Sequence, residues 1–551
     1  MKEEIEFLIK RACQELFELE PEVNLTRVDE KFGDYSTNVA LTLSPKLKQK
    51  PSDISQAIIG KLNEFGSGLI QSVSSAGPGF INITLTTSSL YEIVNKKSNK
   101  EFSDKQVLVE FGNANPFKEM HLGHVYMSIV GDSVARLFEL AGAKVERLSY
   151  HGDVGLHVAK TVWAIKKRLG EQADAKLEDI INNKKDIGEF YAYGTKSYEE
   201  SESDAAEIKL INSLIYSKQD EQIDRIYELG KEVSFSNFDE IFSELNITFS
   251  KRYFESVTSQ VGLTSVKENI GKVFSESQGA IIFDGESIGL HTRVFINAQG
   301  LPTYEAKDLG LAELKDKDYP EAFRSIIITD HQQLEYFKVM LAALKQIKPN
   351  LADKTVHITH GHLGLSTGKM SGRSGQVYTA KQFISDIKEA VELAFPETLV
   401  KDEIFMAAIR YSLMKQRLGG DIVFDLNESV ALEGNSGPYL QYARARAVSI
   451  ISKAGSTPNQ LNVADIDDEE RKLLSKISEF SEVCDKAINE LMPHHICTYL
   501  YELAQSFNRF YENNRVLGDP RQQQRLSLIS LYADTIKNGL ATLGIPAPDK
   551  M

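Results

Sequence analysis

Residues 106–111 read "QVLVEF", a compact apolar run bounded by polar residues. Such a run is a buried parallel strand, covered on both faces. A loop follows, holding "HLGH" at 121–124, and then a helical pattern, "MSIVGDSVARLFELAGA". Strand and helix patterns keep alternating: "KVERLSY" as strand, "RSIIIT" (324–329) as strand, "EYFKVMLAALKQI" as helix. Few architectures accept that order, and the expected one is a doubly wound α/β domain on a parallel sheet. His121 and His124 then fall at the carboxyl end of a strand and the amino end of a helix, where open α/β sheets bind nucleotides. The unpaired N–H groups of the helix favour anions there.

At 551 residues the chain is too long for one core, and two to four domains are expected. Residues 1–95 mix helical patterns with a strand-like end, "GPGFINITL" (77–85), and a polar linker leads to residue 105. The α/β domain is expected over 105–395, with a charged, mostly helical insertion at about 165–280. Strand signals fade from about 401, and an all-helical domain is expected over 401–551. Apolar content of 42% and charged content of 26% describe a soluble globular protein. No apolar run is long enough to cross a membrane, and the acidic amphipathic N-terminus lacks the features of a signal peptide. Three scattered cysteines, Cys13, Cys484 and Cys497, argue against a disulfide framework or a zinc cluster and suit a reducing cytoplasm. The net charge of −15 does not exclude nucleic acid, because local basic clusters decide that: 44–50, 160–168 and 441–447.

A second motif lies at "STGKMSGRSGQVYTA" (366–380). Lys369 and Arg373, among serines and glycines, form a cationic loop suited to neutralising a pyrophosphate leaving group. His121 and His124 would donate to phosphate oxygens and to charge developing on the α-phosphate. Gly123, lacking a Cβ, would let a flat base lie against the backbone. Together the two motifs resemble the HIGH and KMSKS signatures of class I aminoacyl-tRNA synthetases. "VEFGNANPFKEMHLGH", "GLPTYEAKDLG" (300–310), "GPYLQYARARA" (437–447), "FGDYSTNVAL" (32–41), "AGPGFINI" (76–83) and the ending "LGIPAPDKM" resemble arginyl-tRNA synthetases in particular.

That resemblance implies a Rossmann-like catalytic domain, a small α/β N-terminal domain that binds tRNA and a helical anticodon-binding domain. It implies an arginine–tRNA ligase: ATP, bound with Mg2+, activates L-arginine to the adenylate, and the arginyl group passes to the 3′ end of its tRNA. ATP would be held by Lys118, His121, Gly123, His124, Gly361, His362, Lys369, Met370 and Ser371. Arginine would be held by Glu110, Asn115, His121, Glu255, Tyr304, Asp308 and Gln332. Catalysis would rest on His121, His124, Lys369 and Arg373, with no dedicated metal site. Contacts with tRNA would come from Phe80 and Asn82, and from Tyr439, Tyr442, Tyr511 and Met551, with Arg444 and Arg446 placed to meet phosphates. A cytoplasmic monomer whose first step needs tRNA completes the picture.

The residues support the amino acid independently. A guanidinium is always charged and presents five donors in a planar fork, so burying it demands carboxylates. Asp308 follows Tyr304 by one helical turn, so both can face one site. Three departures stand out. The second lysine of the K-M-S-K pattern is Gly372, with Arg373 next. Lys338 stands where the family often has a glutamine for the amino group, so either it points elsewhere or Gln332 or Gln333 takes that role. The usual D-W-G reads Asp153-Val154-Gly155. The rival readings are another class I synthetase, a nucleotidyltransferase of the same fold that uses no tRNA, and a non-catalytic tRNA-binding paralogue.

Overall fold

A computed structural model describes residues 1–96, 100–171, 177–181, 186–366, 378–455 and 460–551. Its centre is a five-stranded parallel sheet: β1 (Gln106–Glu110), β2 (Lys144–His151), β3 (Lys251–Phe254), β4 (Ala322–Asp330) and β5 (Thr355–His360). The strand order is β5-β4-β1-β2-β3. The chain winds outward from β1 through β2 to β3, then returns to the other side of β1 for β4. The crevice beyond β1 and β4 is thus the point where the winding reverses, and ligands of open α/β sheets bind there. Val107, Leu108 and Val109 are buried on both faces, as the unbroken apolar run requires.

Helix α1 (Leu122–Leu140) crosses behind β1 and is buried along nearly its whole length. Between β2 and β3 the chain leaves the sheet as an all-helical excursion. It includes α2 (Leu156–Glu171), α3 (Glu202–Ser217) and α4 (Glu221–Glu244), which share a separate core around Trp163, Ile211 and Ile226. This excursion ends earlier than the charge pattern suggested. Lys251–Phe254 pairs with β2 from Leu148 to His151, so the stretch carrying Glu255 belongs to the main sheet. Next come α5 (Glu255–Glu268), a three-stranded antiparallel sheet (Ser275–Ser277, Ala280–Phe283, Arg293–Ile296), α6 (Tyr304–Asp318), and α7 (Leu334–Ile347) after β4.

Helices α8 (Lys401–Met414), α9 (Gly437–Lys453) and α10 (His494–Asn513) belong to the helical region that ends the chain. A short strand interrupts that region, Ile422–Phe424, which pairs in parallel with Leu363–Leu365. Three residues are too few to leave a period-two pattern, so the fading strand signal missed it. The helical region is joined to α1 by Arg410, a fully buried side chain. Its guanidinium meets Asp132 of α1 at 2.8 Å and donates to the carbonyls of Leu245 (2.7 Å) and Leu543 (3.0 Å). Gly544, at φ +68°, must be glycine, because a Cβ there would lie 2.3 Å from that guanidinium. The N-terminal region is a four-stranded antiparallel sheet with the helices Val39–Leu47 and Pro51–Phe65 packed on it. It docks on the helical region through Asp34, which receives Arg471 at 2.6 Å, and through Arg27 on Glu482 at 2.7 Å.

Candidate active site

His121 is the N-cap of α1. Its Nδ1 accepts the Gly123 N–H (3.1 Å), and His124 Nδ1 accepts the His121 N–H (3.2 Å). This reciprocal box satisfies donors that a helix start leaves unpaired. It also fixes both tautomers: with Nδ1 accepting, each neutral ring carries its proton on Nε2. Burial lowers the pKa of both rings, that of His124 most, with His121 adding to the effect on His124. Both are therefore neutral donors near pH 7. The rings lie 3.9 Å apart. A Cβ on Gly123 would press to 3.1 Å of the His121 ring, so glycine is what lets the imidazole fold over the helix start.

Lys369, Met370, Ser371 and Arg373 lie outside the described residues. The segments flanking them do not. Ser366 N–H donates to Phe424 (2.9 Å). Beyond residue 377, Ala380 N–H donates to Met120 (2.8 Å), and Thr379 forms a bridge with His121. The second motif therefore leaves from the neighbouring strand and returns directly onto the histidine box. Lys118 lies beside it, its ammonium 4.8 Å from the Tyr191 ring centre. His362 is exposed, with its N–H on Asp421 (2.7 Å). Gly361 packs backbone to backbone, since a Cβ there would fall 2.1 Å from the Gly420 carbonyl.

A charge-dense pocket sits at the other end of the crevice. Glu110, at the tip of β1, takes Lys315 at 2.7 Å, both of them buried, and Asn113 at 3.2 Å. Glu255, at the start of α5, takes Lys307 at 2.6 Å. Burial pushes the Glu255 carboxyl up and Lys307 pulls against it; on Lys307 itself, burial lowers the pKa but Glu255 outweighs it. Asp308 is buried beside both acids. Among the described residues it has no ion pair or hydrogen-bonded cation of its own. Burial, and then the charges of Glu110 and Glu255, push its carboxyl well above the usual range, with Lys315 opposing. Three carboxylates thus share two lysines.

The remaining walls follow from local geometry. Asn115 Oδ1 accepts the Gly152 N–H (2.9 Å). A Cβ on Gly152 would stand 2.8 Å from Asn115 Oδ1 and 3.1 Å from Glu255 Oε1, so these two meet across a glycine. Tyr150 bonds Thr258 (2.8 Å) within the field of all three acids. Asp153 accepts the Ser256 N–H (2.9 Å) and Oγ (2.7 Å), and also Lys231 (2.6 Å) and Tyr227 (3.0 Å). These bonds hold its pKa below the usual value despite burial. The Asp153-Val154-Gly155 variant therefore keeps a working residue: its aspartate sets the start of α5 and hence Glu255. Tyr304 stands at the rim, 68% exposed. Gln332 is exposed just after β4, its N–H on Asp330 (2.9 Å). Lys338 points away from the pocket, pairing with Glu335 on the outer face of α7 at 2.7 Å.

Lys307, Lys315 and Tyr150 are site residues that the sequence alone did not point to, and Asp153 was known only as part of a motif variant with no role. Lys315 had a usable signal, since it follows Asp308 by two helical turns. Lys307 and Tyr150 are fixed by contacts between distant elements and had none, and the motif at Asp153 did not reveal that it meets Ser256 and Lys231.

Of the residues expected to face RNA, Phe80 and Tyr442 are exposed, whereas Tyr439, Tyr511 and Met551 are half-buried against the core. Asn82 is largely buried, 7% exposed, opposite Ser36 and Ser74 on the neighbouring strands. Arg444 is a correction. Its guanidinium is buried and holds the chain end through the carbonyls of Ala547 (2.8 Å) and Pro548 (2.9 Å) and through Asp549 (2.8 Å). Arg446 is partly exposed, over the Tyr511 ring at 4.5 Å.

Comparison with known proteins gives three family matches in succession. Residues 3–85 match the arginyl tRNA synthetase N terminal domain, 87–424 the catalytic domain of tRNA synthetases class I (R), and 440–551 the DALR anticodon binding domain. An arginine–tRNA ligase of Crocosphaera subtropica is 29% identical, over 99% of this chain and 97% of its own. One of Lactobacillus delbrueckii is also 29% identical, over 95% and 94%. The solved arginyl-tRNA synthetase of Thermus thermophilus superposes with a TM-score of 0.83 at 26% identity, all of each chain being covered.

Proposed function

The chain belongs to the class I tRNA synthetases of the arginine type, and from that premise we propose how it works as an arginine–tRNA ligase. The observation that carries the amino acid is the charge deficit: Glu110, Glu255 and Asp308 share Lys315 and Lys307, and the acid left over is Asp308. A guanidinium is the missing cation, and its planar fork suits paired bonds to a carboxylate. Asp308, with Tyr304 above it, is its anchor. Glu255, already held by Lys307, shapes the pocket and takes a lesser share. Asn115 and His121 hold the amino and carboxylate ends, with Glu110 close by, and Gln332 approaches the amino group from β4, the position that Lys338 vacates.

ATP then lies across the start of α1. His121 and His124 direct Nε2–H donors at its phosphates, Lys118 adds charge, and the adenine rests near Gly361 and His362. Magnesium arrives as part of the nucleotide substrate. The arginine carboxylate attacks the α-phosphate, and Lys369 and Arg373 neutralise the departing pyrophosphate. The terminal ribose hydroxyl of the tRNA next attacks the adenylate carbonyl. No protein nucleophile takes part, so catalysis is orientation plus preorganised donors. Phe80 and Tyr442 are the exposed aromatics best placed to stack on bases. Charging of total tRNA with each of the twenty amino acids tests this. Arginine alone should be esterified, and esterification of a different amino acid, or of none, would defeat it.

A further inference from the structure

The loop that leads into the histidine box is held from three sides. Upstream the sheet holds it: the Ala114 carbonyl meets His151 Nδ1 at 2.6 Å, and Asn115 Oδ1 accepts the Gly152 N–H at 2.9 Å. Downstream it is held by the box itself and by the Ala380 N–H on Met120. Between the two, the helical excursion grips three consecutive residues. Phe117 is wholly buried and belongs to the excursion's own core. Lys118 lies over Tyr191 of the helix Asp186–Glu200. Glu119 packs on Gly188 of that helix, where a Cβ would fall 2.6 Å from its carboxyl carbon.

Phe117 sits in the left-handed region, at φ +65°. For a bulky residue that conformation crowds Cβ against the backbone. Glu18, Lys48, Lys218 and Leu491 share it, but each ends a helix, where such a turn is common. Phe117 ends none. Its turn is imposed from outside. The Phe117 N–H donates to Ser234 Oγ (3.0 Å), which in turn donates to the Gly230 carbonyl (2.7 Å). The Phe117 carbonyl accepts Thr161 Oγ1 (3.1 Å). The ring stacks on Tyr227 with centres 5.8 Å apart, and it presses on Gly230, where a Cβ would stand 2.4 Å from Cε1. All these partners lie on α2 or α4. A residue with a side chain keeps such a backbone only where its surroundings over-determine it.

We propose that Ser234 and Thr161 are positioning residues for the first step: they hold Phe117 in its left-handed turn, and that turn sets the angle between Asn115, at the arginine end, and Lys118 with the histidine box, at the phosphate end. The excursion thereby governs how the arginine carboxylate is presented to the α-phosphate, without touching either substrate. The inference rests on the assignment of the two ends proposed above. Released from its holds, Phe117 relaxes toward the right-handed or extended regions, and the residues on either side swing relative to each other. Each substrate still finds its own groups, so binding survives while alignment is lost.

The experiment is arginine-dependent pyrophosphate exchange, with tRNA present, by the full-length wild-type, Ser234→Ala, Ser234→Thr and Thr161→Val proteins. Ser234→Ala should lower kcat about ten- to a hundredfold, the order reached when reacting groups are slightly misplaced, with the KM values for arginine and ATP within threefold of wild type. Ser234→Thr keeps the hydroxyl, and a cavity of about 60 Å³ lined by Ser234, Met120 and Thr379 has room for its methyl group. It should recover most of the rate. A kcat loss below threefold in Ser234→Ala overturns the inference, whatever the melting temperature does. So do matched rises in both KM values, or a threonine variant as slow as the alanine one, since those mark a loss of fold or of space rather than of the hold. Where Ser234→Ala yields no folded protein, Thr161→Val, which deletes only the other hydroxyl, decides by the same criteria on kcat and KM. Exchange by the wild-type protein with an amino acid other than arginine would instead remove the substrate proposed above, while the same kcat loss on that amino acid would still uphold the turn.

Discussion

The two ends of the catalytic crevice lie on the same strand and helix junction, yet they handle charge in opposite ways. At the phosphate end the fixed groups are neutral. Through Nδ1, His121 accepts the Gly123 N–H and His124 the His121 N–H, burial keeps them uncharged, and what they present is N–H. At the arginine end the fixed groups are two buried carboxylate–ammonium pairs and one acid in excess, whose proton burial and the neighbouring acids retain until a cation arrives. The difference teaches how a scaffold meets an anion and a cation within one cavity. A polyanion brings strong acceptors that aligned dipoles and helix N–H groups can satisfy, so permanent charge can be delivered from a separate loop. A guanidinium cannot shed its charge, and burying it requires an acid in place that can ionise to meet it.

Removing that counter-charge should have the largest effect. Asp308→Asn is expected to lower kcat/KM for arginine by about three orders of magnitude, since losing one partner of a buried charge pair costs ~2–5 kcal/mol or more. The KM for ATP should stay within twofold. A loss below tenfold in arginine-dependent pyrophosphate exchange would show that the excess acid is not the anchor, and the contrast between the two ends would fail. At the neutral end, His124→Ala should reduce adenylate formation about 10²-fold or somewhat more, the order seen on removing one preorganised donor. Here the change should appear in kcat. A variant whose whole defect lay in the arginine KM would mean that the histidines serve the amino acid.

The same contrast explains what the sequence could announce. The histidine box is local: Gly123, the helix start and both rings lie within four residues, so the motif and its structure coincide. Tyr304 and Asp308 are one turn apart on α6, again a local fact. The partners that give Asp308 its meaning are not local. Lys315 reaches Glu110 across 205 positions, and Asp153 positions Glu255 across about a hundred. Arg444 shows the converse. In the sequence it belongs to a basic cluster suited to phosphates, but tertiary contacts spend its donors on the tail of its own chain. The alternating pattern revealed the sheet, yet β3 was hidden because four residues after a long helical excursion carry little periodicity.

The pH dependence should separate the two ends more finely. The Asp308 carboxyl is raised by burial and by Glu110 and Glu255, with Glu305 and Lys315 on its own helix and Tyr150 across from it. In the empty pocket it therefore keeps a proton that the unfolded chain would release. Its contribution to the stability of the empty protein falls as pH rises through that window, because the native state binds the extra proton. Arginine needs the carboxylate. Below the raised pKa its KM should drop about tenfold per pH unit as pH rises, with one proton released per arginine bound. Calorimetry of arginine binding in two buffers of different ionisation enthalpy, with tRNA present, counts that proton. A count of zero at a pH where KM still changes would place the titration elsewhere. The histidines add nothing to this trend near pH 7, since lowered pKa values leave them neutral across it.

The smallest effect is expected from the lysine that the sequence placed closest to trouble. An ammonium beside the substrate's own α-ammonium would repel it by several kcal/mol in a buried site. The fold avoids this by turning Lys338 to the outer face of α7, where it pairs with Glu335, both about half exposed. A solvent-exposed pair three residues apart is screened by water and contributes little to stability. Lys338→Ala should therefore leave the KM for arginine within twofold and shift the melting temperature by about a degree or less. A fivefold fall in that KM would mean that the ammonium enters the pocket during turnover and opposes the substrate. The charge deficit would then belong only to the empty site, and the contrast between a neutral and a charged end would have to be redrawn for the working enzyme.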